Sequence, residues 1–427
     1  RIWLARSMNM NDYHAEFEKI ISRPYFSDKI NGSRTKAFEK FIKSGIPNRK
    51  WENWRHTDLS IILKEKFRVP EKIDAPNNEL DLKDFKIEGA HTFVIYNGHY
   101  QESSEPLPEG LKVLTNLEYL EHNNWVNDSI EKSPFDLLNT SLCDSGISLV
   151  IDDNIELHDP IQIVFFCSSK DQLMVCPRIN VDINKSSSAT IIEHYIDQSD
   201  LFFQNTSMVI SLKDNASLNH VCIQSNTDSA VNVSNLHVSQ MKDSRYNYFQ
   251  FIDGGGLSRS NIYTYLKNEN AECFLSGITL SNKKQHFDTN IITDHISPNC
   301  TSHQNFKSVL NGNSTGVFNG RTIVRENSQK TDSRQSNKNL LLSENAMMNS
   351  NPQLEIYADD VKCAHGSTTG ALDEEALFYL RSRGIDRKSA SSLLIRGFVS
   401  ELIDEVNNLD IKNYLFNRFD NWLKTNN

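Results

Sequence analysis

The sequence predicts a mainly β protein with a parallel β-helix at its centre and helical regions at both ends. Three observations support this fold class. Apolar and polar residues alternate with a period of two from about residue 146 to residue 359. A weak internal repeat recurs in that region at intervals of 29, 29, 25 and 44 residues, the last of which we interpret as two shorter turns. Start and stop signals typical of helices occur before and after it.

The N-terminal region, residues 1–144, is predicted to contain helices and at least one strand. Ser33 is the predicted N-cap of a helix that ends at Gly45, and its apolar residues follow helical spacing: Ala37, Phe38, Phe41 and Ile42. Farther along, "HTFVIYN" predicts a strand, and two short helices are expected around Leu117 and Phe135.

The segment "GIPNRKWENWRHTDL", residues 45–59, combines two tryptophans with basic residues. Trp51 and Trp54 are three residues apart, which places them on one side of a helical turn. We interpret the pair as an aromatic anchor that packs this segment against the rest of the protein. A patch that docks a partner is the alternative interpretation.

The central region, residues 145–370, is predicted to be the β-helix. Ile179, Val181 and Ile183 point one way along a predicted strand, and the polar residues between them point the other way. Copies of the repeat, each an apolar residue and then a polar turn, start at Ile183, Leu212, Met241, Leu266 and Leu310. Asparagine suits such turns because it tolerates the left-handed conformation. A β-sandwich is the alternative architecture.

The C-terminal region, residues 371–427, is predicted to hold three helices with Asp373, Asp386 and Asp410 as N-caps. Its apolar residues exceed what three short helices need for their own packing. We therefore expect part of this surface to dock on the β-helix or on a partner protein, through residues that include Phe378, Leu393 and Phe398.

Composition excludes several classes of function. A formal net charge of −10 argues against binding along nucleic acid, which needs a basic surface. The sequence contains no apolar run of about 18 residues, so no membrane-spanning helix is predicted. The seven cysteines form neither a disulfide framework nor a zinc-finger pattern, so we expect a reduced, cytoplasmic protein. No P-loop or nucleophile motif is present, so we assign no ATP site and no catalytic residue.

The segment "LEIYADDVKCAHGSTTG", residues 354–370, brings thiol, imidazole and carboxylate groups together, the side chains that bind transition metals. If one strand continues from Leu354 to His365, Cys363 and His365 project from the same face with Cα atoms about 6.6 Å apart. Two ligands cannot complete a tetrahedral site. The pair is therefore either a buried cysteine beside a hydrogen-bonded histidine, or half of a metal site that another chain completes.

The same segment carries a resemblance. "PQLEIYADDVKCAHGSTTGALDEEALFYLRSRGI", residues 352–385, and "SRQSNKNLLLSENA", residues 333–346, resemble the SufB/SufD family of iron–sulfur cluster assembly proteins, and residues 45–59 resemble its SufD branch. The matched motifs flank the whole strand-rich region. Where this chain has Ser367, Thr368 and Thr369, the family more often has Ala-Thr-Val.

This resemblance implies a right-handed parallel β-helix and a non-catalytic scaffold subunit whose partners are a SufB-like subunit and a SufC-like ABC ATPase. The position of His365 is one that the family needs for cluster formation at the interface between subunits, with Cys363 as its neighbour there. A transient iron–sulfur cluster would be shared between the two chains, and a reduced flavin in the assembled complex is left open. Leu354 and Ile356, on the predicted final strand, would contact the SufB-like partner.

Two other functions remain open at this level. A stand-alone β-helix enzyme acting on a polysaccharide would need several carboxylates close together, for which Asp253, Asp288 and Asp294 are candidates. A homodimeric metal-binding protein would use two copies of Cys363 and His365.

Overall fold

The computed structural model describes residues 2–71, 82–103, 105–122 and 133–426. Strands make up 42% of the residues and helices 24%. The strands form a parallel β-solenoid of about 8 turns between N-terminal and C-terminal helices. The predicted mainly β class, with a parallel β-helix flanked by helices, is confirmed.

Two long sheets build the solenoid, and the chain alternates between them. The first sheet contains, in spatial order, β2 (His99–Gln101), β1 (His91–Tyr96), β5 (Ile161–Cys167), β8 (Ser188–Asp197), β10 (Ser217–Gln224), β12 (Arg245–Ile252), β14 (Glu272–Ser281), β16 (Thr301–Leu310), β18 (Asp332–Leu341) and β20 (Lys362–Gly370). The second sheet contains β19 (Met347–Ile356), β17 (Thr315–Val324), β15 (His286–His295), β13 (Leu257–Leu266), β11 (Ala230–Gln240), β9 (Phe202–Leu212), β7 (Arg178–Ile183), β4 (Gly146–Ile151) and β3 (Leu111–Thr115), with β6 (Met174–Val175) paired to β9.

Successive turns stack in parallel and in direct register. Ser188, Ser217, Arg245 and Glu272 stand side by side in the first sheet, so one turn takes 27–29 residues there. Among the described strands, the antiparallel pairs are β1 with β2 and β3 with β4, at the N-terminal end. A β-sandwich is built from antiparallel sheets, so that alternative is wrong.

One corner of the solenoid places a left-handed residue in turn after turn. These residues have φ of 55–62°, and they are Asn154, Ser186, Asn215, Asp243, Asn270, Asn299 and Lys330. Each donates its backbone N–H to the same corner of the next turn, as Asn215 does to the carbonyl oxygen of Lys242 at 2.9 Å. Asparagine and aspartate accept this conformation at low cost. The predicted role of asparagine in the turns is therefore confirmed.

The last copy of the predicted repeat lies at the other corner. Leu266 ends β13 in the second sheet, whereas Leu310 ends β16 in the first sheet. The register partner of Leu266 one turn later is His295 of β15, and the N–H of the next residue, Ile296, donates to the Leu266 carbonyl at 3.1 Å. Interpreting the interval from Leu266 to Leu310 as two shorter turns was therefore wrong. Both corners follow an apolar residue with a polar turn, so sequence alone does not distinguish them.

The helices are α1 (Ile2–Ile21), α2 (Asp28–Ser44), α3 (Ser60–Lys64), α4 (Asn116–His122), α5 (Pro134–Leu142), α6 (Glu374–Ser382), α7 (Arg387–Ile403) and α8 (Leu409–Asn426), with a 3₁₀ turn at Glu52–Trp54. Ser27, not Ser33, caps α2, because the Ser27 side chain accepts the N–H of Ile30. Ser33 lies inside the helix. Gly45 ends α2 at a φ of 69°, as predicted.

The helical regions cover opposite outer faces of the solenoid. α1, α2 and α5 share an apolar cluster with Phe203 and Val231 of the second sheet. α7 and α8 cover the first sheet, where Ile395 and Val399 join a cluster that includes Phe249. Strands begin well before residue 145, since β1 already extends the first sheet by pairing with β5.

Candidate functional site

The segment that carries the candidate metal ligands turns a corner. β19 ends at Ile356, residues 357–361 cross from the second sheet to the first, and β20 begins at Lys362. The Asp360 carbonyl accepts the N–H of the left-handed Lys330, which fixes this corner on the preceding turn. A single strand from Leu354 to His365 was therefore a wrong prediction. Consecutive Asp359 and Asp360 interrupt the alternating polarity at this corner, and it resumes at Val361, so the corner was taken for a continuing strand.

Cys363 and His365 nevertheless lie on the same face of a strand. They are two residues apart on β20, in register with Ser333 and Gln335 of β18. Ser333 and Gln335 are buried between the two sheets, so Cys363 and His365 continue the inward-facing columns at the last turn. No further strand of the described chain covers β20. Cys363 is accordingly half-buried and His365 is exposed.

The column that ends at Cys363 is polar. His295 Nε2 lies 2.8 Å from Ser302 Oγ, which lies 3.0 Å from Ser333 Oγ. Burial lowers the pKa of His295 to about 4, so its imidazole is neutral at neutral pH. Burial also raises the pKa of the Cys363 thiol, and a metal ion bound there must displace its proton.

The candidate centre is incomplete within the part of the chain that the structure describes. Among the described residues, no group of three or more His, Cys, Asp or Glu side chains could hold a metal ion. Cys363 and His365 contribute two donors, fewer than the four of a closed tetrahedral site. A thiolate and an imidazole are ligands for soft and borderline metals, iron among them. The assignment of these two residues as ligands stays a prediction.

Among the described strands, β19 and β20 are the unpaired edges of the two sheets at this end of the solenoid. Lys362 donates its N–H to the Thr331 carbonyl at 2.8 Å. Because successive residues of a strand direct their backbone groups to opposite sides, the N–H and C=O groups of Cys363, His365 and Ser367 point away from β18. In β19, the N–H of Met347 donates to the Ser314 carbonyl on the preceding turn. Pro352, five residues later, therefore directs its backbone to the open side, where it has no N–H to offer. Proline at that position is typical of an edge strand.

The predicted partner-binding residues differ in exposure. Phe378 of α6 is 73% exposed, Leu393 of α7 is 49% exposed and Ile356 is 42% exposed. Leu354 is half-buried. Phe398 packs against the apolar cluster under α7 and α8, and the Lys307 ammonium lies 4.9 Å from its ring centre. Phe398 therefore serves the interior of this chain, whereas Phe378 and Leu393 face solvent.

The two tryptophans of residues 45–59 do not share a side. Trp54 is 4% exposed, while Trp51 is 38% exposed. The Trp54 ring lies 5.3 Å from the Phe135 ring and 3.8 Å from the guanidinium of Arg259 in the second sheet. Trp54 alone has the environment expected of the predicted aromatic anchor. Trp51 is the N-cap of the 3₁₀ turn Glu52–Trp54 and has an extended backbone with ψ of 129°, so it lies outside the turn and helical spacing does not apply to the pair.

Each carboxylate proposed for a polysaccharide-active site is paired with an arginine. Asp288 pairs with Arg259, Asp294 with Arg325 and Asp253 with Arg418. Asp288 and Asp294 are six residues apart on β15, a separation of about 20 Å. Paired carboxylates of glycosidases lie about 5 to 9.5 Å apart. The geometry gives no support to that alternative.

A cavity of about 600 Å³ lies away from β20, between the outer face of the first sheet and the start of α8. Its lining includes Asn219, Arg245, Asn247 and Phe274 and none of the residues of β20. It therefore contributes nothing to the candidate metal centre.

Two residues near the candidate surfaces were not predicted from the sequence. Gln335 lies directly behind His365, 30 positions earlier in the chain, and only the register of the solenoid reveals this. Tyr379 is 57% exposed beside Phe378. The run "ALFYL" carries both aromatic residues, but helical periodicity does not show that both face solvent.

Comparisons with known proteins agree with these observations. Residues 165–398 match the family model described as "SUF system FeS cluster assembly, SufBD core domain", and residues 6–163 match "SufBD protein N-terminal region". The chain is 27% identical over 390 residues to iron-sulfur cluster assembly protein SufD of Escherichia coli, covering 89% of this chain and 90% of that protein. It is 29% identical over 385 residues to an iron-sulfur cluster assembly SufBD family protein of Synechocystis, covering 84% of each. No helix in the described part of the chain is long and apolar enough to cross a membrane.

Proposed function

This chain belongs to the SufBD family of iron–sulfur cluster assembly proteins, and on that basis we propose that it is a non-catalytic scaffold subunit. It supplies Cys363 and His365 to a nascent cluster that a SufB-like subunit completes. The observation that carries the proposal is the position of these two side chains, together on the last strand at the open end of the solenoid.

The number of ligands argues for a second chain. Iron–sulfur clusters are commonly held by four protein ligands, mostly thiolates. Cys363 and His365 provide two, and the described residues offer no third ligand beside them. The cluster is then the cargo of the complex, and it forms where two incomplete sites meet.

The free edge supports the same arrangement. The outward backbone groups of Cys363, His365 and Ser367 can pair with a strand of another subunit, which adds main-chain hydrogen bonds across the interface. Such pairing would bring the partner's ligands alongside this chain's own. Pairing of subunits and assembly of the metal site would then be one event.

Energy for the process comes from another subunit in this proposal. The sequence has no P-loop, so a SufC-like ABC ATPase supplies ATP hydrolysis. The exposed aromatic pair on α6, Phe378 and Tyr379, with Leu393 of α7, is the surface that suits its docking, because clustered aromatic residues dominate binding energy at interfaces.

Co-expression tests the proposal. We expect this chain, produced with SufB-like and SufC-like subunits and purified without oxygen, to copurify with both and to carry iron and sulfide at levels that the chain alone does not reach. Tight, stoichiometric iron binding by the chain alone would favour the homodimeric metal-binding protein instead. Cleavage of a glycan by the chain alone would favour an enzyme.

Phe378→Glu is predicted to prevent ATPase docking without affecting the fold. The Phe378 side chain is 73% exposed, so replacing it with glutamate opens no cavity in the fold. Burying that carboxylate in an interface without a partner would be unfavourable and would weaken docking. Removing residues 372–427 is a poorer test, because α7 and α8 cover an apolar face of the first sheet. Copurification of the ATPase is the measurement, and Leu409→Glu, equally exposed at 67% on α8, is the matched control. Unchanged binding by Phe378→Glu would assign docking to another surface.

A further inference from the structure

Gln335 occupies the position immediately behind His365 in the solenoid. The two residues are partners in the register of β18 and β20, and Gln304 of β16 precedes them in the same inward-facing column. Parallel neighbours of this kind stand about 4.8 Å apart. Gln335 is 4% exposed, whereas His365 is exposed. Gln335 is therefore the buried residue next to His365, one turn deeper in the solenoid.

The amide nitrogen of Gln335 is anchored to the second sheet. Nε2 donates to Thr322 Oγ1 at 2.7 Å and lies 3.4 Å from the carbonyl oxygen of Gln353. A carbonyl oxygen only accepts hydrogen bonds, so this contact identifies the nitrogen side of the amide. Both contacts lie across the solenoid, and together they fix the orientation of the side chain.

The amide oxygen of Gln335 is left without a partner. Oε1 is buried and has no hydrogen-bond partner among the described residues, and a buried acceptor without a partner is unfavourable. Gln304 does not satisfy it, because its own Nε2 is directed to Thr293 and Thr322. The side chain that follows Gln335 in the column is His365.

We propose that Gln335 is the positioning residue for His365. When the His365 ring turns toward the solenoid, this unpartnered amide oxygen accepts one ring N–H of the imidazole, which selects a single tautomer and leaves the other ring nitrogen free to bind iron at the subunit interface. Metal-binding histidines generally donate their second ring nitrogen to such an acceptor. The meaning of this contact for cluster assembly rests on the proposed function, but the contact itself does not.

The test compares four variants by two measurements. The tautomer of His365 is read from the ring nitrogen signals of ¹⁵N-histidine-labelled chain, assigned by their absence in His365→Ala. Gln335→Leu removes the acceptor, and Gln335→Glu restores one of the same shape. Gln304→Leu is the matched control, because it removes an equally buried amide one turn deeper that also contacts Thr322. Iron and sulfide in the copurified complex are the second measurement.

We expect the wild-type chain to show a single His365 tautomer and Gln335→Leu to show a mixture of both tautomers. Gln335→Glu and Gln304→Leu should keep the wild-type signals. In the complex, Gln335→Leu should lower cluster content by about 10-fold or more, in line with the loss of an outer hydrogen-bond partner of a metal ligand. Wild-type His365 signals in Gln335→Leu would overturn the positioning role. If Gln335→Leu changes the tautomer while both Gln335→Leu and His365→Ala keep normal cluster content, the contact between Gln335 and His365 stands. The proposed function is then refuted.

Discussion

Replacing His365 by alanine is expected to abolish cluster formation while leaving the protein folded and able to join its partners. The side chain is exposed at the last turn of the solenoid, so its removal opens no cavity. If His365 is one of only two ligands from this chain, losing it removes half of the chain's contribution to the cluster. Iron and sulfide in the anaerobically purified complex measure the effect.

A histidine on the same sheet provides the control. His303 of β16 is half-buried on the outer face, where its ring lies 5.3 Å from that of Phe274. His303→Ala removes the same group from a face that does not meet the candidate centre, so cluster content should not change. Cys363→Ser should have a smaller effect than His365→Ala only if oxygen can partly replace sulfur at this position. Normal cluster content in His365→Ala would refute the half-site.

Local sequence patterns predicted most of the fold. Strands such as β7 could be predicted because Ile179, Val181 and Ile183 alternate with polar residues, and the recurring turns predicted parallel stacking. The corners between sheets were harder to predict. The chain changes sheet between Leu354 and His365, and consecutive Asp359 and Asp360 interrupt the alternation there, but two adjacent polar residues do not by themselves reveal a corner. The cap of α2 was misplaced because Ser27 and Ser33 are equally suitable by residue type, and only Ser27 has an extended backbone.

The site was predictable only as far as it is local. Cys363 and His365 are two residues apart, so one strand is enough to place them on a common face. Gln335 is placed beside His365 by the register of two strands, and the local spacing around either residue does not encode that register. The same holds for Trp54 and Arg259, whose contact joins the N-terminal motif to the middle of the second sheet.

That contact centres on a buried ion pair. Arg259 and Asp288 have side chains only 1% exposed each, and Asp288 also accepts a hydrogen bond from Thr57. Arg259 further donates to the Asn53 carbonyl at 2.8 Å. The segment from Asn53 to Thr57 is therefore held to the solenoid by one charged pair and its hydrogen bonds.

Asp288→Asn is expected to destabilise the protein by about 3–5 kcal/mol, because it leaves the Arg259 guanidinium buried without a compensating charge. Urea unfolding measures the loss, and limited proteolysis should show the N-terminal region released first, since the pair fastens it. Glu272→Gln is the control: its pair with Arg245 is about half exposed, and exposed pairs contribute less than about 1 kcal/mol. Replacing both partners, as Arg259→Met with Asp288→Leu, should recover much of the loss because no charge is left unpaired. Equal stability of Asp288→Asn and Glu272→Gln would show that Trp54 and its apolar neighbours hold the N-terminal region without help from the ion pair.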